Sequence, residues 1–228
     1  MAIQHFKHTL KWIEKHRFSL LTVALILVLV LPAFASGGLL EEILFLGSMS
    51  FLLAQSMIVA TDKKSKYPVI RYLIVILMVL FIWTEPIGVK VMKVEVIRLI
   101  LLSTFFVFVT FYLARFMIRA KKVNHDVILV AMNIYLLTGI IAGNLAFLLY
   151  QTLPGAYHFP EHIKEPTFVT FNYYSFITMS TVGYGDIIPI LPQTQTLGFL
   201  IAVTGQLYVA VIIAFMVGKF LMNPEQHK

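Results

Sequence analysis

Apolar residues come in long blocks along this chain, separated by short polar or turn-rich segments. Six blocks stand out: Phe18 to Ala35, Leu39 to Ala60, Tyr67 to Trp83, Val96 to Ile118, Val127 to Leu153, and Leu197 to Met222. A helix needs about 20 residues to cross the hydrocarbon core of a bilayer. All six blocks are near that length, so the pattern predicts six membrane-spanning helices. A seventh stretch, EPTFVTFNYYSFITMS from Glu165 to Ser180, is too short and too polar to span. It reads as a half-helix over 166–180 that dips in and returns as an extended loop. Irregular backbone at membrane depth is tolerated only where it is buried in protein or lines a water-filled path. A re-entrant segment therefore implies function.

Composition agrees. Of the 228 residues, 59% are hydrophobic and 13% charged, and mean hydropathy is +0.87. A soluble domain is nearer half apolar and about a quarter charged. The fold class expected is all-α and transmembrane, with little room for a soluble domain. Cysteine is absent, which excludes disulfides and thiolate metal sites.

The net charge of +7 would suit a nucleic-acid partner, but the positions of the basic residues point elsewhere. Lys7, Lys11, Lys15 and Arg17 precede the first block. Lys63, Lys64 and Lys66 follow the second, and Arg115, Arg119, Lys121 and Lys122 close the fourth. The opposite loops hold only Lys90, Lys93 and Lys164, with Arg98 at a helix edge. Basic residues gather on the cytoplasmic side of membrane proteins. Both termini are thus expected in the cytoplasm, in a multi-pass protein of the cell membrane whose re-entrant loop faces outside. No nucleic-acid partner is expected. The basic start, apolar run and AFAS at Ala33 to Ser36 also resemble a cleavable signal peptide. Retention of the first helix is the expectation, and cleavage would leave the later topology unchanged.

The chemistry is carried by TMSTVGYGDIIP, Thr178 to Pro189. Its core TVGYG, Thr181 to Gly185, at the end of an aromatic re-entrant helix and between the last two spans, resembles the selectivity filter of potassium channels of the P-loop cation-channel superfamily. The resemblance is strongest over roughly 126–222. A potassium ion leaving water needs oxygens to replace its hydration shell. The resemblance implies that carbonyls of Thr181, Val182, Gly183 and Tyr184, with the Thr181 hydroxyl, bind K+. Gly183 and Gly185 allow the unusual dihedrals that turn these carbonyls one way. The dipping helix would aim its C-terminal partial charge at the cation path. The motif occurs once, and a filter is built from four such loops, so a homotetramer around a central pore is implied. K+ is then the permeant ion, and no cofactor is expected.

The flanks extend the resemblance. Tyr173 and Tyr174 stand where voltage-gated relatives usually carry paired tryptophans, and a Tyr173 hydroxyl bonded to Asp186 would brace the outer mouth. Ile177 stands where some bacterial channels carry a glutamate, so a carboxyl pair with Asp186 is unavailable. In the sixth block, Gly205 is in the place of a gating hinge in that family, with Val209, Ile213 and Val217 below it as pore lining. The plain alternative is helix packing, which small residues favour in membranes. Gly198 and Gly218 read as packing positions.

The first four blocks, within 18–122, look like a sensor domain without its charges. A voltage sensor needs several basic residues along the fourth helix, because moving one charge through the field is worth about 2.3 kcal/mol per 100 mV. Leu99 to Ala114 contains none. Little voltage dependence is expected; the alternative is a reduced ladder of Lys90, Lys93 and Arg98 against Glu41 and Glu42. The domain plan is a basic N-terminus over 1–17, the sensor-like unit, a pore domain over 123–222 with an inner helix over 195–222, and a short tail over 223–228. HFPEH, His158 to His162, matches a zinc-protease pattern in letters. Pro160 between the histidines argues against the helix that chemistry needs, so an outer loop is expected and no enzyme. The basic clusters would meet membrane lipid.

Overall fold

The computed structural model describes residues 12–34, 39–60, 68–84 and 92–221. The basic N-terminus up to Lys11, the lysines of the 61–67 loop, Lys90 and the tail beyond Leu221 lie outside the described residues, as does the side chain of Glu41.

The described residues are helical almost throughout. α1 spans Arg17–Val30 and passes into a 3-10 turn at Leu31–Phe34. α2 is Leu39–Ala60, α3 Pro68–Ile82, α4 Met92–Arg119 and α5 His125–Thr152. α6, a short helix, is Phe168–Met179, and α7 is Pro192–Leu221. Two short strands, β1 (Tyr157–His158) and β2 (Ile188–Pro189), pair antiparallel.

Among the described residues four helices are long and apolar enough to cross a membrane: α2, α4, α5 and α7. α1 and α3 are apolar but only 14 and 15 residues long. At 1.5 Å per residue they reach roughly 22 Å, short of a core of about 30 Å. Pro32 accounts for the early end of α1: it has no N–H to continue the ladder, so the chain tightens. α7 begins at Pro192, ahead of the expected 195, because proline at a first helical position lacks only a donor that would be unpaired there.

α5 is the hub. α4 packs along it after a short turn over 120–124, α1 meets it at Asn133, and α6 and α7 pack against it as well. A buried polar link ties α1 to α5: Thr22 Oγ1 donates to Asn133 Oδ1 at 2.7 Å, and Asn133 Nδ2 donates to the Phe18 carbonyl at 3.0 Å. With no water inside a bilayer, such groups must find partners in the protein. α2 packs on α1, and α3 on α2, where Trp83 Nε1 donates to Ser50 Oγ at 3.0 Å. At the far end of α7, the Lys219 ammonium donates to the carbonyls of Ala120 and Ile118 and lies over the Phe215 ring. The end of α7 is thereby tied to the α4–α5 turn.

Candidate ion-conduction site

The site is built on α6. Its first turn is capped within the segment: the Thr167 backbone N–H donates to Thr170 Oγ1 at 3.2 Å, which satisfies a donor the helix leaves open. Its length, 12 residues, confirms by geometry that it cannot span. Two glycines of α5 let it approach. A Cβ on Gly139 would lie 2.4 Å from the Phe176 ring, and one on Gly143 would lie 2.7 Å from Asn172 Oδ1. Ser175 Oγ closes the contact by donating to the Gly139 carbonyl at 2.7 Å. This is a small-xxx-small seam of the kind that joins membrane helices. It stands in plain letters as GIIAG, 139–143, and the reading of the sequence passed over it.

An aromatic cluster holds the outer half. Phe171 stacks on Phe147 at 5.3 Å and meets Tyr157 edge-on at 5.2 Å, while Tyr157 meets Tyr174 at 5.5 Å. Edge-to-face pairs of this kind add to simple burial. Burial pushes the Tyr157 phenol well above its ordinary range, with Tyr174 adding to the effect. β1 and β2 tie the loop before α6 to the loop after the motif, and Thr194 Oγ1 donates to the Ala156 carbonyl at 3.0 Å. His158 lies in β1 and His162 in the turn after it, so the two share no helical face. Among the described residues no group of histidines and carboxylates is placed to hold a metal.

The chain leaves α6 through two tight hydrogen bonds, from the Thr181 N–H to the Thr178 carbonyl at 3.0 Å and from the Gly183 N–H to the Ile177 carbonyl at 3.1 Å. Thr181, Gly183 and Gly185 then have φ of 62°, 54° and 75°, while Val182 and Tyr184 between them do not. Glycine takes positive φ freely. A β-branched threonine does so only at a cost, and Thr181 is the one non-glycine residue to do it among the described residues. Alternating dihedral sign turns successive peptide planes the same way, which an extended strand cannot do. Residues 181–185 are all exposed in the single chain.

Beyond the segment, Tyr173 Oη donates to Asp186 Oδ2 at 2.7 Å, and Asp186 Oδ1 accepts the Ile187 N–H at 3.0 Å. Tyr173, Asp186 and the motif are thus brought together. Tyr174 is buried and points elsewhere: a Cβ on Gly198 of α7 would lie 2.7 Å from its hydroxyl.

The α7 residues divide. Gly205 is buried against the end of α6, where an added Cβ would lie 2.0 Å from the Met179 carbonyl oxygen. Val209, Ile213 and Val217 are 45%, 58% and 52% exposed. At about 100° per residue, a step of four drifts about 40°, so Val217 faces well away from Gly205. Gly205 thus has a packing reason of its own. Gly218, in contrast to Gly198, has open space around it within the chain. Gln206 Nε2 makes a long contact, 3.5 Å, with Thr181 Oγ1.

Residues 130–222 match the ion-channel family. The matched stretch takes in nearly all of α5, the re-entrant helix, the TVGYG segment and α7, and none of α1–α4. It is the domain of a channel and not of an enzyme. Four helices of spanning length among the described residues, together with this ion-channel match over 130–222, point to an integral membrane protein. No curated protein and no solved structure matches the chain.

Proposed function

We propose that this protein is a potassium-selective channel, formed by four copies around a central pore, through which K+ runs passively down its gradient. The observation that carries the reading is the alternation of positive φ at Thr181, Gly183 and Gly185 within TVGYG, strained at Thr181. A non-glycine residue held at positive φ costs of order 1–3 kcal/mol and persists where the surroundings impose it, which is characteristic of functional sites. Positive φ at alternate residues would set the carbonyls of Thr181, Val182, Gly183 and Tyr184 to one side, where they would replace the hydration shell of K+. The Tyr173–Asp186 bond braces the turn that follows.

The tetramer rests on two features. One chain supplies one filter segment, and the motif is exposed until other copies close a ring. α7 is also strongly apolar yet only 11% of its most apolar window is buried, against 56% for α5. Such a face suits contact with neighbouring copies and a pore, with Val209, Ile213 and Val217 as candidates to line it. Six spans, both termini in the cytoplasm and a place in the cell membrane complete the proposal, supported by four helices of spanning length and two shorter apolar ones among the described residues, and by the basic residues Arg115, Arg119, Lys121 and Lys122 at the end away from the motif.

Gating is proposed to depend little on voltage. Arg98, at the outer start of α4, lies 3.8 Å from Glu95 on the same helix, and the middle of α4 has no charge. Single-channel recording at stepped voltages tests this: open probability should stay flat, and a steep rise would restore the ladder of Lys90, Lys93 and Arg98.

A further inference from the structure

A cavity of about 420 Å³ opens beside the N-terminus of α6, and no residue of 181–186 lines it. Its walls come from α2, the end of α3, α4, α5 and residues 165–169, so it lies where α2–α4 meet the channel domain. Three phenyl rings face it, Phe45, Phe147 and Phe168, with Phe45 and Phe168 tilted at 5.1 Å centroid separation. Three carboxylates line it as well, Glu42, Glu95 and Glu165, against the single guanidinium of Arg98. The lining therefore carries a net charge of −2, and Arg98 lies 3.8 Å from Glu95.

That lining selects a cation of a particular kind. The carboxylates do not converge as metal ligands among the described residues. Aromatic faces attract a cation through the ring quadrupole and suit one with a diffuse, alkylated charge, as in aromatic cages for quaternary ammonium. The volume falls within the range of about 300–1,000 Å³ usual for small-molecule sites. We propose that this cavity binds an organic ammonium group, with Glu42 and Glu165 holding its charge and Phe45, Phe147 and Phe168 enclosing its alkyl substituents. The ammonium belongs either to a soluble amine or to a choline or ethanolamine headgroup. One wall is the first turn of α6, so the occupied cavity would press on the helix that carries the motif. The site does not depend on ion selectivity.

The test is calorimetric titration of benzyltrimethylammonium into the full chain in dodecyl maltoside micelles at low salt. Saturable binding is expected, with the Kd raised about tenfold in the Glu42→Gln, Glu165→Gln double variant. Both glutamates are exposed, so the double variant is expected to fold, and a matching thermal melt checks it. Should it not fold, each single variant is expected to bind about threefold more weakly. Absence of saturable binding to the unaltered chain, or equal affinity in the variants, would overturn the proposal. Added dodecylphosphocholine separates the sources: competition with the probe points to a lipid headgroup, and its absence together with glutamate-dependent binding points to a soluble amine.

Discussion

Thr181 and Gly205 are the residues at which one atom decides most. At Gly205 a methyl group would meet backbone, the Met179 carbonyl, which cannot swing aside as a side chain can. Gly205→Ala is expected to destabilise the protein by about 1–3 kcal/mol, the range for overpacking. Gly218→Ala has the opposite sign, because its surroundings within the chain are open and alanine gains about 1 kcal/mol over glycine in a helix. Thermal unfolding in detergent checks both; equal midpoints for the two variants would contradict the account. At the outer mouth, Tyr173→Phe removes the 2.7 Å bond to Asp186. A hydrogen bond to a charged group contributes about 1.5–3 kcal/mol, less where water competes, and Tyr173 is part-exposed. The expected result is a lower K+ over Na+ permeability ratio, and an unchanged ratio would remove Tyr173 from the brace.

Among elements, the link between α1 and α5 is the clearest case of one group depending on another. Thr22→Val leaves Asn133 Oδ1 buried without its donor, which is expected to cost about 1–3 kcal/mol. Adding Asn133→Leu removes the orphaned acceptor, so the double variant should lose less than the two singles summed. A double-mutant cycle on unfolding midpoints measures that coupling; strict additivity would show that the bond does not hold the helices together. Much at this scale was legible in advance. A short helix, expected over 166–180, runs Phe168–Met179. The seam at Gly139 and Gly143 was legible too, in a spacing that went unread. The Thr22–Asn133 bond was not, since it depends on the register of two helices more than a hundred positions apart. Nor was the separation of Gly205 from Val209, Ile213 and Val217, which appears only once α6 takes the glycine's face. The shortness of α1 follows from Pro32, one residue inside an otherwise unbroken apolar block.

For the whole molecule, the central feature is that the first four helices are not held apart from the channel domain. α4 packs along α5, α1 bonds to it through Asn133, and Lys219 ties the end of α7 back to the α4–α5 turn. The middle of α4 carries no charge, so a helix packed in this way has little for the membrane field to move. The most direct test is the reversal potential of the purified protein in a planar bilayer, with K+ on one side and Na+ on the other. The account predicts a reversal far towards the K+ equilibrium value, about 59 mV for each tenfold of permeability ratio. A reversal near zero would contradict it, because the carbonyls of residues 181–184 would then not be held in a selective ring.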